Sequence, residues 1–163
     1  KRLDLQVVLP QTFSLEEFLN LKRHYASLGI YSKGSLKVWK QFLTVSDFNN
    51  VETYLDAGFD GAMIDLDKII EIIIGVDSDS FLSGPRLDWI QSVEKFFKET
   101  GFNKLIKNHK QVLITGKSIG SEELLNYFIK SGVWGIAVRE NVIDSLREHV
   151  SFLEKKFSGM TGQ

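Results

Sequence analysis

"DGAMIDLDKIIEIIIGVDSDS", residues 60–80, holds a strand, an apolar segment and an acidic junction in one run. "DGAMIDL" reads as a strand, and "DKIIEIII" as a short apolar helix or a turn-rich segment. The isoleucines stop at Gly75, and Asp77, Ser78, Asp79 and Ser80 follow at once. An EF-hand calcium loop needs glycine at its sixth position, and the sixth residue from Asp77 is Leu82. The acidic cluster therefore reads as a turn whose Asp and Ser side chains satisfy backbone N–H groups.

The same alternation extends in both directions. Upstream lie a strand "LQVVLP" ending at Pro10, a helix "TFSLEEFLNLKRHYASLG" and a second strand "LKVWKQFL". Ser14 with Glu17 forms the pattern of a capping box, and Gly29 is the stop. "SDFNNVETYLDAG" reads as one helix closed by Gly58. Downstream, "RLDWIQSVEKFFKETG" is amphipathic, with Leu87, Ile90, Val93, Phe96 and Phe97 on one side. "KQVLITG" is a fourth strand, "SEELLNYFIKSG" a helix from Ser121 to Gly132, and "WGIAV" a fifth strand. The last helix, "NVIDSLREHVSFLEKKF", turns Val142, Leu146, Val150, Leu153 and Phe157 inward, and "SGMTGQ" is a flexible tail. The predicted unit is a single α/β domain over residues 1–157 with about five parallel strands and alternating helices. Periodicity alone leaves two architectures open, a doubly wound sheet and part of a β/α (TIM) barrel.

With 43 % hydrophobic and 25 % charged residues, the chain has the balance of a globular domain. A formal net charge of −1 offers no basic field for nucleic acid or an anionic membrane surface. The absence of cysteine excludes a thiolate metal site and a Cys nucleophile. No apolar run reaches the roughly 20 residues of a membrane span, and no secretory leader is legible, so a cytoplasmic location is expected. His24, His109 and His149 are too scattered to be ligands, and His149 reads as a surface residue of the last helix. Trp39, Trp89 and Trp134 fall in apolar segments and read as core or interface. "TGKSIGSEE" has the letters of a phosphate loop without its upstream glycine.

"GVDSDS" resembles the "GVDRDS" segment of the phosphoenolpyruvate-utilising enzymes, among them phosphoenolpyruvate synthase (pyruvate, water dikinase), pyruvate phosphate dikinase and enzyme I of the sugar phosphotransferase system. "VVLPQTFSLEEFLNL", "LKVWKQFL" and "VLITGKSIGSEELLNYFIKSGVWGIAV" are similar, in the same order, to that family's strand and helix motifs, so the likeness covers almost the whole chain. It implies the last five strands of the family's C-terminal, phosphoenolpyruvate/pyruvate-binding barrel, in sequential spatial order. It also implies a longer parent chain with upstream strands and phosphotransfer domains.

The family's reaction passes phosphoryl between a phosphohistidine and pyruvate at a Mg²⁺ site. Carried over residue by residue, its ligand Glu falls at Leu43 and its Asn-Asp pair at Asp67 and Lys68. Its proton-donor Cys falls at Thr115, whose hydroxyl is far too weak an acid for that role, and its Gln falls at Lys117. The resemblance thus implies a degenerate phosphotransferase, a pseudoenzyme with no catalytic residues and no cofactor; Mg²⁺ belongs only to an active site. Asp65 and Asp67 are the least unfavourable metal ligands. Lys68, Thr115, Gly116 and Lys117 are candidates for a site taking a small anion such as phosphoenolpyruvate or pyruvate. The alternative is a non-catalytic anion- or protein-binding regulatory module on the same scaffold. Five barrel strands leave two bare edges, so another copy in a homo-oligomer, an upstream segment or a rearranged terminal helix is expected to cover them.

Overall fold

The structure, a computed structural model, describes residues 5–84, 86–138 and 143–158. Its five strands are β1 (Leu5–Leu9), β2 (Leu36–Phe42), β3 (Gly61–Asp65), β4 (Gln111–Thr115) and β5 (Gly135–Ala137). All pair in parallel, in the order β1-β2-β3-β4-β5. A flavodoxin-like order, with the first strand moved inside, is thereby excluded. The sheet is open, with β1 and β5 as its edges, so a complete TIM barrel is not formed.

Sequential parallel strands joined by connections of one hand carry every helix on the same face. The burial follows this rule. Leu9, Val38, Phe42, Ala62, Ile64, Val112 and Ile114 alternate along the strands on one face and are all buried. Their register is continuous, Phe42 opposite Ile64 and Ile64 opposite Ile114. The other face carries Val8, Gln41, Met63, Leu113 and Thr115, all half-buried. Only near the N-terminal ends of the strands is that face filled. There Trp39 is 1 % exposed, lies against Gly61, and meets Trp134 edge-on at 5.3 Å between ring centroids.

The helices are α1 (Leu15–Ser27), α2 (Val45–Asn49), α3 (Val51–Ala57), α4 (Leu66–Ile74), α5 (Ser78–Ser83), α6 (Leu87–Glu99), α7 (Phe102–Lys107), α8 (Glu122–Ser131) and α9 (Ile143–Ser158). A 3-10 turn spans Lys117–Gly120. Phe97 of α6 sits at the centre of the helical layer, with Phe48, Phe102 and Phe128 at 5.5, 5.2 and 5.0 Å. Each buried phenylalanine contributes about 1.5–3 kcal/mol relative to an exposed one.

Several local expectations change. The segment 46–58 is two helices, because Asn50 leaves helical geometry and its amide side chain donates to the Ser46 carbonyl. Glu17 reaches the N–H of Phe13 at 2.7 Å, one residue earlier than the capping box predicts, while Ser14 Oγ accepts from Glu17 N–H. Leu87 is 68 % exposed, since it lies in the first turn of α6 before the helix meets the core. In α9, Leu153 is buried and Leu146 and Val150 are partly so; Val142, the side chain of Phe157 and the tail over 159–163 lie outside the described residues.

Beneath α1 and α3, Lys40 of β2 is 2 % exposed. Its ammonium meets the Asp47 carboxylate at 2.8 Å and lies 4.2 Å from the centroid of the Tyr54 ring. The other Asp47 oxygen accepts from the N–H groups of Leu43 and Thr44 and from the Thr44 hydroxyl. Tyr54 has its hydroxyl pKa raised, first by burial and then by the nearby charge of Asp47.

Candidate functional site

The C-terminal ends of β4 and β5 open into a cleft of about 960 Å³ between the 3-10 turn, α8 and α9. Thr115, the last residue of β4, forms part of its floor. Gly116 follows with φ of +126°, a conformation that a side chain would strain. A Cβ at Gly116 would also lie 2.8 Å from Asp67 Oδ1. The turn thus depends on glycine for both backbone and space.

Asp67, in the first turn of α4, reaches across to this loop. Its Oδ2 accepts from Lys117 N–H and its Oδ1 from Ser118 N–H, each at 2.8 Å. The anion expected behind Gly116 is therefore present as the protein's own carboxylate. Asp67→Ala is expected to cost about 1–3 kcal/mol, because two partly buried N–H groups lose their acceptor. Asp67→Asn, which keeps one acceptor oxygen, is expected to lose less. Urea unfolding of the two variants measures the difference.

The remaining candidates separate. Asp65 caps α4 by accepting from Lys68 N–H. Lys68 is exposed and pairs with Glu71 at 2.9 Å, and that hydrogen bond raises its pKa. It is not among the cleft residues. Lys117 does face the cleft, but its ammonium is held by both oxygens of Asp79 at 2.8 and 3.0 Å. Leu43 immediately follows the C-terminal end of β2, its N–H on Asp47, and is not among the cleft residues. Of the four anion candidates the structure brings Thr115, Gly116 and Lys117 together and leaves Lys68 apart.

The "GVDSDS" junction proves to be a helix start. Asp77 caps α5 by accepting the N–H and hydroxyl of Ser80, and these bonds hold its carboxyl below the usual carboxylate range. Asp79, two residues on in the first turn of α5, meets Lys117.

His149 is the cleft residue that the sequence reading sets aside. It lines the cleft from α9, its Nε2 is shielded from solvent without a hydrogen-bond partner, and Glu122 Oε1 lies 3.8 Å away. No local spacing marks it; only the docking of α9 against α8 brings it to the site. The charged lining is thus Asp67, Asp79 and Glu122 against Lys117, beside the imidazole of His149. Among the described residues, no three carboxylate or imidazole groups converge as a metal-binding set.

Scanned against protein-family models the chain matches none, and a search of curated proteins finds no match.

Proposed function

We propose that this chain is the C-terminal part of a β/α scaffold of the phosphoenolpyruvate-utilising type and works as a non-catalytic binding module. The collinear motifs support the scaffold, as does a singly wound parallel sheet with its cleft at the C-terminal strand ends, the face where β/α enzymes place their sites. One observation carries the loss of chemistry: Asp67, the carboxylate nearest the family's metal position, is committed to two backbone N–H groups. The neighbouring ligand position is Lys68, turned outward to Glu71, and the third is Leu43. These residues do not fit Mg²⁺, which requires hard oxygen ligands, and Thr115 cannot replace a thiol as proton donor. The acidic lining also disfavours a multiply charged anion such as phosphoenolpyruvate, which favours the protein-binding form of the module.

Calorimetry distinguishes the readings. Wild type titrated with Mg²⁺, then with phosphoenolpyruvate in its presence and absence, is expected to release no metal-dependent heat. Saturable Mg²⁺-dependent binding of phosphoenolpyruvate would restore the enzyme reading. Metal-independent binding that is lost in Lys117→Ala would instead establish the anion-binding form.

A further inference from the structure

We propose that the loop Gly116–Ser118 is a seat for a single carboxylate, held in this structure by Asp67, and that its external ligand is the C-terminal carboxylate of a partner protein ending in an apolar residue. The carboxylate seat stands on the loop geometry alone. Only the partner's being a protein rests on the binding-module reading above.

The seat fits one carboxylate. The two Asp67 oxygens each take a separate backbone N–H, from Lys117 and from Ser118, at 2.8 Å. A Cβ at Gly116 would lie 2.8 Å from Oδ1 and 2.9 Å from Cγ of that group. Glycine at this position therefore keeps room for a carboxylate, whichever molecule supplies it. Independently, the hydroxyl of Ser118 is fully buried and has no hydrogen-bond partner among the described residues. A buried hydroxyl left without a partner is costly. It is a third polar group in the loop, and Asp67 does not use it.

Charge and surroundings narrow the ligand. The lining already holds the carboxylates of Asp67, Asp79 and Glu122 against the ammonium of Lys117. Each further negative charge is opposed by that lining, so a monoanion is favoured over phosphate or a dicarboxylate. Leu82, Ile119, Leu125, Val138 and Leu146 line the same cleft, so the body of the ligand is apolar. Capture of a chain's terminal carboxylate by backbone N–H groups is a recurring mode of peptide recognition. Asp67 is then a built-in competitor. Tethered in α4, it holds the seat against free carboxylates, and a ligand's apparent affinity falls with the fraction of molecules whose seat is vacant.

Asp67→Ala removes a group of the size of formate. Its unfolding midpoint is expected to rise by about 2–4 °C in saturating sodium formate relative to sodium chloride of equal ionic strength. Wild type is expected to show no such difference, and formamide to raise neither. N-acetyl-leucine is expected to shift the Lys117 and Ser118 amide resonances of Asp67→Ala at concentrations at least about tenfold lower than in wild type, and lower than formate requires. N-acetyl-leucinamide is expected to leave them in place. Should Asp67→Ala not fold, the same two wild-type amides must still move with the acid and not with the amide. A midpoint that responds to formate no more in Asp67→Ala than in wild type overturns the carboxylate seat, as do equal shifts with the acid and the amide. Formate rescue without tighter binding of N-acetyl-leucine overturns the apolar partner. Mg²⁺-dependent binding of phosphoenolpyruvate would overturn the binding-module reading and leave the formate result unchanged, so the two failures are told apart.

Discussion

Asp47→Ala is expected to destabilise the fold by about 3–5 kcal/mol, the usual loss when one partner is removed from a buried ion pair. That is a large fraction of the roughly 5–15 kcal/mol by which domains are stable. Lys40 and Asp47 are 2 % and 3 % exposed, so the ammonium left behind has no water to turn to. Its remaining contacts are the Gln41 carbonyl and the faces of Tyr54, Phe42 and Phe18. The same carboxylate caps α2 and holds the N–H groups of Leu43 and Thr44, and these losses add to the first. Lys40→Met is expected to cost less, because Asp47 keeps its three other donors. Lys40→Met combined with Asp47→Ala should be more stable than Asp47→Ala alone, since no uncompensated charge remains. Denaturant unfolding of the three variants tests that order. A loss below about 1 kcal/mol in Asp47→Ala, the range of exposed pairs, would show that water reaches the pair.

Gly61→Val is expected to disrupt the sheet at its centre. A Cβ at Gly61 would stand 2.4 Å from Trp39 Cε2 and 2.7 Å from the Gln111 carbonyl oxygen. The first contact is with a side chain that is 1 % exposed, and the second with backbone held in the β3–β4 ladder, where Gly61 faces Gln111. Neither can yield freely. Overpacking of this kind costs typically about 1–3 kcal/mol, and valine adds two further methyl groups at the same point. The Trp39–Trp134 contact should be lost with it, giving a red-shifted tryptophan emission along with the lower unfolding midpoint. Wild-type emission and stability in Gly61→Val would mean that Trp39 does not lie over β3.

The parts of the molecule differ in how plainly the sequence announces them. The strands are legible because each is a short apolar run next to a turn signal, and α1, α6 and α8 because their stripes are long enough to show a period. Sequential order was accessible only through resemblance, since alternation of strands and helices fits a doubly wound sheet equally well. The helices α5 and α7 have six residues each, too few for a period to appear. Lys40 gave a usable signal: it falls between Val38 and Phe42 on the buried side of a strand, where a lysine must find a partner. The site was less legible. Asp67 binds backbone 50 and 51 residues away, and His149 reaches the cleft only through helix packing. A chemical motif is read along the chain, whereas these contacts are fixed by which strand ends lie side by side.

The strand order bears on how the protein is made. Each strand pairs with the one synthesised just before it, so on emerging from the ribosome it meets a partner that is already available. Folding can advance as the chain lengthens, without waiting for a distant segment to return. The slow interval falls between β3 and β4, where the four helices α4 to α7 must be made before the next strand arrives. Until then the backbone of β3 stands as an unpaired edge, and Gly61, with Trp39 folded over it, is the part of that edge shielded from other nascent chains.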